Sequence, residues 1–197
     1  MMNPFMLIPV KPLEEGKSRL SGLLSKKRRA ELSFRLFNTV LNAAIEAGKP
    51  DNIIVVSRDL DVLSTAEKRG TRYWGKENGE DLNQALSDAI PVNAESIIAL
   101  HADLPRVSAN DIRAIIESGR ESPIVLTSDR MGLGTNAIFM RPPKLINFYF
   151  GEMSFSKHVK EARRVGVSPK ILKREGLEFD LDTPEDYLHL SRLSNSV

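Results

Sequence analysis

The segment Asn52-Ile53-Ile54-Val55-Val56-Ser57 leaves few folds open to this chain. Successive side chains of a strand point to opposite faces, so a continuous β-branched run is apolar on both. Such a strand suits a parallel sheet covered by helices on each side. Phe5-Met6-Leu7-Ile8 and Ser96-Ile97-Ile98-Ala99-Leu100-His101 are further runs of this kind. Helical patterns separate them. Ser25 is placed to cap a helix from Lys26 to Ala47, which carries Leu32, Leu36, Phe37, Val40, Leu41, Ala44 and Ile45 on one face and stops at Gly48. Asp59 to Arg69 reads as a helix closed by Gly70, Thr71 to Trp74 as a short strand, and Asp81 as the cap of a helix through Ile90. Ser108, with Asp111 three residues on, starts a helix ending near Gly119. Pro123 to Thr127 and Asn136 to Met140 are strands, and Ser154 is placed to cap a helix from Phe155 to Val165. Ser168 to Lys173 and Leu177 to Leu181 read as further strands, and Thr183-Pro184-Glu185-Asp186 opens a last helix. The alternation predicts one α/β domain over residues 1–197, a three-layer α/β/α sandwich with a mostly parallel mixed sheet.

Composition removes several classes of function. The chain has 197 residues, 41% of them hydrophobic, enough for one sizeable core. A net charge of +2 supplies no general grip on nucleic acid. The absence of cysteine excludes disulfides and thiolate metal sites. No apolar run is long enough to span a bilayer, and the N-terminus lacks a charged leader followed by an apolar core. The expectation is a soluble cytoplasmic protein with neither membrane nor nucleic-acid partners.

In sheets of this type ligands sit beyond the carboxyl ends of the strands, and three segments that carry chemistry follow strands. The first is Ile8-Pro9-Val10-Lys11-Pro12-Leu13-Glu14-Glu15-Gly16-Lys17-Ser18-Arg19-Leu20. It places two lysines and an arginine between a strand and a helix, where cations and backbone N–H groups suit a polyphosphate. It is not a Walker A loop, because the earlier glycine of that motif is missing. The second is Ala102-Asp103-Leu104-Pro105, a carboxylate at the end of an apolar strand, and the third is the Asn78–Asn83 segment. Late in the chain, Asp180-Leu181-Asp182 offers two more carboxylates on one side of an extended segment. Three all-oxygen ligands without His or Cys suit Mg²⁺, although Asp182 can equally assist a helix cap and Asp103 fix a turn. Gly132-Leu133-Gly134-Thr135-Asn136, and Gly151 with Ser154, offer N–H and hydroxyl donors for a small phosphate, or else an ordinary hairpin turn and helix cap. His101 reads as a packed core residue, and His158 and His189 lie on helical patterns, which argues against acid–base chemistry.

Together these pieces resemble the 2-phospho-L-lactate guanylyltransferase family of coenzyme F-420 biosynthesis, from about Ile8 to Leu188. They are Pro9-Val10-Lys11-Pro12 with Lys17-Ser18-Arg19-Leu20, Asp81-Leu82-Asn83-Gln84-Ala85-Leu86, Ala102-Asp103-Leu104-Pro105, Gly134-Thr135-Asn136-Ala137, Phe150-Gly151 with Ser154-Phe155, and Asp180-Leu181-Asp182-Thr183-Pro184-Glu185-Asp186. The resemblance implies a glycosyltransferase-A-like nucleotidyltransferase fold. It also implies a reaction that joins GMP from GTP to 2-phospho-L-lactate, phosphoenolpyruvate or 3-phosphoglycerate, with release of diphosphate. By the same resemblance Lys17 and Asp103 are catalytic, and Val10, Lys11, Lys17, Ser18, Arg19, Leu82 and Asn83 serve the nucleotide. Thr135, Gly151 and Ser154 serve the acceptor phosphate, and Asp103, Asp180 and Asp182 bind Mg²⁺. Arg130, Arg141 and Lys157 are candidates for the acceptor carboxylate. A homodimer is implied, with apolar residues near Phe148 to Phe150 as candidate contacts. The loop Glu77-Asn78-Gly79-Glu80-Asp81 departs from the glycine-rich form usual in the family. The other readings are a molybdopterin or sugar-phosphate nucleotidyltransferase of the same fold, or a non-catalytic nucleotide-binding protein.

Overall fold

A computed structural model describes residues 3–75 and 81–194, with the backbone alone for 191–194. Seven strands form one sheet in the order β3-β2-β1-β4-β6-β5-β7. They are β1 (Phe5–Pro9), β2 (Ile53–Ser57), β3 (Arg72–Gly75), β4 (Ile97–Leu100), β5 (Ile124–Ser128), β6 (Thr135–Met140) and β7 (Lys170–Ile171). β6 runs antiparallel to both β4 and β5, and the other pairings are parallel. The β-branched runs occupy the centre, where both faces are covered; β1, β2 and β4 are buried along nearly their whole length.

Helices α1 (Lys26–Ala47), α2 (Leu60–Lys68) and α4 (Ala109–Glu121) pack on one face, where Phe37, Val40, Leu41, Ile112 and Ile115 meet Ile8, Val55 and Phe139. Helices α3 (Leu82–Asp88) and α5 (Ser154–Arg164) cover the other, where Ala85, Leu86 and Ala162 meet Leu7, Val56 and Ile138. This is the three-layer sandwich the sequence predicts. α1 begins at Ser25, whose side chain accepts the Arg28 N–H, and α4 begins with a full capping box between Ser108 and Asp111. No helix among the described residues is long and apolar enough to cross a membrane.

Four expectations change. Leu177 to Leu181 is not a strand: Glu175–Glu178 forms a single helical turn, α6, and the chain then runs extended without a ladder into α7 (Pro184–Ser194). Ser168 to Lys173 shrinks to the two-residue β7, on the edge of β5. Ser154 does not cap α5, because Met153 takes that place in a left-handed conformation and Ser154 is the first helical residue. Phe148 and Phe150 lie buried in the core beside α3 and α5, so they are not a surface for a second subunit.

Candidate active site

The carboxyl ends of β1 and β4 and the start of the opposed strand β6 share one edge of the sheet. Ala137 pairs with Leu100, and the His101 N–H donates to the Asn136 carbonyl at 2.9 Å. Segments distant in sequence meet there. The loop after β1 folds as two short 3-10 turns, Leu13–Glu15 and Ser18–Leu20, tied to the start of α2 by the Leu13 N–H donating to the cap residue Asp59 Oδ2 at 2.9 Å. Between the turns Lys17 takes a left-handed conformation, φ 54° and ψ 37°. That conformation is costly for a residue with a Cβ. It aims the lysine inward.

The Lys17 ammonium lies 2.7 Å from Asp103 Oδ2 and 2.8 Å from Asp182 Oδ1, with its side chain only 7% exposed. Burial lowers the pKa of the ammonium, but Asp103 and Asp182 outweigh it and hold the group above its ordinary value. Asp103 is the mirror case: burial pushes the carboxyl up, and Lys17 more than reverses this. The Leu181 N–H donates to the Asp103 carbonyl at 3.1 Å, which docks the Asp180–Asp182 segment beside β4. With Leu181 buried, Asp180 and Asp182 flank it on the open side. Burial, then the charges of Asp103 and Asp182, push Asp180 up to about 6. Among the described residues no three such side chains form a ready-made metal cage. The lysine stands between two of them. Yet Asp103 Oδ1 is buried without a hydrogen-bond partner. The unpartnered oxygen of Asp103 thus lies free to accept beside a carboxyl, Asp180, that burial first and neighbouring charge second hold above its ordinary value.

The other candidates around the opening loop divide. Arg19 is largely exposed, 3.7 Å from Asp182, and Lys11 and Ser18 are exposed on the loop. Val10 is core, with its N–H donating to the Val56 carbonyl. Leu82 packs half-buried on the Phe148 and Phe150 cluster. Asn83 clasps the backbone of Phe150: its Oδ1 accepts the Phe150 N–H at 2.7 Å, and its Nδ2 donates to the Phe150 carbonyl at 3.2 Å. The departing loop residues 77–80 lie outside the described residues.

A bulge shapes the acceptor side. Thr127 pairs with Ala137 but Ser128 pairs with Thr135, so Asn136 is an extra residue in β6. In an unbroken pleat through Asn136, Thr135 would share a face with Ala137, toward α1 and α4. Instead the Thr135 N–H donates to Ser154 Oγ at 2.8 Å, and Thr135 Oγ1 lies 2.9 Å from His158 Nδ1, both on α5. Asn136 turns the other way and donates to the Leu177 carbonyl at 2.9 Å. The Tyr149 N–H donates to His158 Nε2 at 2.9 Å, so that nitrogen is bare and Nδ1 carries the hydrogen. Burial, with a smaller contribution from His101, lowers the His158 pKa to about 4 and keeps the ring neutral. Thr135 Oγ1 thus accepts from His158, and Ser154 Oγ accepts from Thr135. Each hydroxyl keeps its own proton to donate.

Two sequence readings fail at this point. The Leu133 and Gly134 N–H groups do not face a ligand, because the Asp129 carboxylate accepts both at 2.8 Å. Arg130 is engaged by Asp186 and lies over the Phe179 ring, so it does not offer itself to an acceptor carboxylate. His158 was missed. Its signal was the spacing from Ser154: residues four apart on a helix share a face.

Known proteins share the sequence pattern and the fold of this chain. The model of the family described as "Guanylyl transferase CofC like" matches residues 5–193. A phosphoenolpyruvate guanylyltransferase of Rubrobacter xylanophilus is 38% identical over 194 residues, 96% of this chain and 94% of that protein. A 2-phospho-L-lactate guanylyltransferase of Methanocaldococcus infernus is 32% identical over 180 residues, 91% of this chain and 81% of that protein. Among solved structures, a putative nucleotide-diphospho-sugar transferase from Desulfovibrio desulfuricans G20 superposes with a TM-score of 0.76 at 16% identity, covering 97% of this chain and 87% of that one. A Mycobacterium tuberculosis H37Rv protein in complex with manganese gives a TM-score of 0.57 at 19% identity, covering 99% of this chain and 100% of that one. The last two show the fold. The family match and the two sequence relatives place this chain in the CofC-like guanylyl transferase family, as a nucleotidyltransferase.

Proposed function

We propose that this chain joins GMP from GTP to a small phosphorylated three-carbon acid, phosphoenolpyruvate foremost, and releases diphosphate, as a step of coenzyme F-420 biosynthesis. Phosphoenolpyruvate comes first because the relative named for it is 38% identical, against 32% for the one named for 2-phospho-L-lactate. The observation that carries the reading is the meeting of Lys17, Asp103 and Asp182 on the same sheet edge as the Thr135–Ser154 hydroxyl pair.

The reaction has a simple balance. An oxygen of the acceptor phosphate forms a bond to the α-phosphorus of GTP. The bond from that phosphorus to the β-bridging oxygen breaks, and its electron pair leaves with diphosphate. The attacking phosphate is already ionised, so no general base is needed, in keeping with a buried and neutral His158. The difficulty is repulsion between two polyanions, and fixed positive charge and oriented donors answer it.

Arg19, exposed at the rim, meets the nucleotide phosphates, and Lys17 keeps the carboxylates in register. Thr135 and Ser154 hold the acceptor phosphate through their two free hydroxyl protons, with Gly151 at the exposed rim and the first turn of α5 adding its dipole. Asp103, Asp180 and Asp182 would hold Mg²⁺, and their fit rests on the all-oxygen set and the unpartnered Asp103 Oδ1. A divalent ion bound there supplies neutralisation of phosphate charge. The test is incubation with each nucleoside triphosphate, each of the three acids and Mg²⁺, with the product identified by mass. A guanosine-diphospho acid is expected. No diphosphate release with any of the three acids overturns the reading.

A further inference from the structure

We infer that Lys17 is a resident cation that competes with a divalent ion for the same carboxylate oxygens. The free protein therefore takes up a bare ion weakly, and takes it up more tightly once the lysine charge is removed. The inference rests on the reading above that Asp103, Asp180 and Asp182 hold the ion.

Two oxygens carry the conflict. The Lys17 ammonium stands 2.7 Å from Asp103 Oδ2 and 2.8 Å from Asp182 Oδ1. An Mg²⁺ ion bridging the same two oxygens would need each at about 2.1 Å. The space between them cannot hold both cations. Asp182 Oδ2 has Arg19 at 3.7 Å. Asp103 Oδ1 has no hydrogen-bond partner among the described residues, and the His101 ring stands beside it with Nδ1 at 3.9 Å. Of the four oxygens on these two acids, three thus face Lys17 or Arg19.

Packing holds the lysine in this place. Leu20, three residues on, is fully buried in one cluster with Leu24, Leu36 and Leu181. Leu181 lies between Asp180 and Asp182, so the lysine loop and the acid segment are packed as one piece. On the other side, Gly16 lies so close to α1 that an added Cβ would stand 2.5 Å from Ser33 Oγ. Lys17 is fixed between these two anchors in its left-handed conformation. Its side chain is 7% exposed, whereas those of Asp103 and Asp182 are 25% and 41% exposed. The carboxylates open to solvent, and the lysine backs them from within.

Charge sets the consequence. The ammonium keeps the acids together with no ion bound, since two carboxylates sharing one site would otherwise repel. A dication arriving at the same oxygens meets a fixed positive charge only a few ångströms away, and the repulsion subtracts from its affinity. The site keeps its shape without an ion and holds a bare one poorly.

The probe is Mn²⁺, added to the full chain with neither nucleotide nor acid, and the free ion is counted by its electron paramagnetic resonance signal. Wild type, Lys17→Met, Lys17→Gln and the double variant Lys17→Met/Asp103→Asn are compared, with Tm read on each with and without the ion. Both single variants should bind Mn²⁺ at least about tenfold more tightly than the wild type. Their Tm should lie below that of the wild type without Mn²⁺ and rise further when it is added, because the ion replaces the lost counter-charge. The double variant should lose the gain in affinity. Lys17→Gln keeps a hydrogen-bond donor for the acids and serves if the methionine variant does not fold. Equal affinity in the wild type and the folded single variants overturns the inference and leaves the metal assignment and guanylyl transfer standing. A gain that survives Asp103→Asn overturns it too, since the ion then sits elsewhere. No binding by any of the four proteins overturns the metal assignment as well.

Discussion

Lys17 holds two carboxylates at once, 2.7 Å from Asp103 and 2.8 Å from Asp182, so Asp103→Asn leaves the ammonium one full counter-charge and one neutral oxygen. The fold should survive and the chemistry should not. Turnover is expected to fall at least about a hundredfold, with an unchanged far-UV circular dichroism spectrum. Near-normal turnover would remove Asp103 from the reaction. His158 makes a different prediction. Its pKa is lowered to about 4 in the folded chain, first by burial, from an ordinary value near 6.5. Between those pH values the unfolded chain takes up a proton that the folded chain refuses, so stability falls as pH drops through this window. Urea midpoints at pH 7 and pH 4.5 should show His158→Gln losing roughly 2–3 kcal/mol less than the wild type over that range. An equal loss would mean that the ring is protonated in place. The acids were legible in the sequence because a carboxylate ending an apolar strand is conspicuous. His158 was not, because its partners Thr135 and Tyr149 lie 23 and 9 residues away.

At the level of elements, the same physics explains what was read and what was misread. The parallel strands were legible because a double-faced apolar run has few other uses, and α1 because seven apolar positions keep helical spacing. Leu177-Glu178-Phe179-Asp180-Leu181 also alternates as a strand should, and Leu177, Phe179 and Leu181 are indeed buried. The alternation was true and the pairing was not: the outer edge of β5 is taken by β7, and residues 177–181 ladder with no strand among the described residues. Burial period is written locally, whereas a free edge is a property of the assembled sheet. The bulge at Asn136 was invisible for the same reason. Close approach of elements gives a further test. At Gly119 on α4 an added Cβ would stand 2.5 Å from the Phe139 ring of β6, which is fully buried and has nowhere to go. Gly119→Ala should cost about 1–3 kcal/mol by overpacking, read as a lower Tm. An unchanged Tm would show that the α4–β6 contact is looser than described.

Across the whole molecule, the site draws on residues from Lys17 to Asp182, so ligand binding bears on the entire fold. A ligand that binds only the folded chain stabilises it by about 2.7 kcal/mol at a hundredfold excess over its Kd. For a chain of this length that is a rise in Tm of roughly 5–10 °C. GTP with Mg²⁺ should produce it, and ATP should produce less. Equal shifts for the two would remove guanine preference from the reading. Asp103→Asn should blunt the shift, since it withdraws one candidate ligand of the metal.

The surplus residue in β6 carries an implication for how the two halves of the site stay together. Deleting Asn136 would let β5 and β6 zip in plain register and would leave Thr135 facing α5, one place before Ala137. What would go is the amide that donates to the Leu177 carbonyl, and with it a tie between β6 and the turn that leads to Asp180 and Asp182. The sheet would remain whole, with its central strands untouched and its helices still seated. A single inserted codon is thus enough to tether a late loop of acids to an early strand.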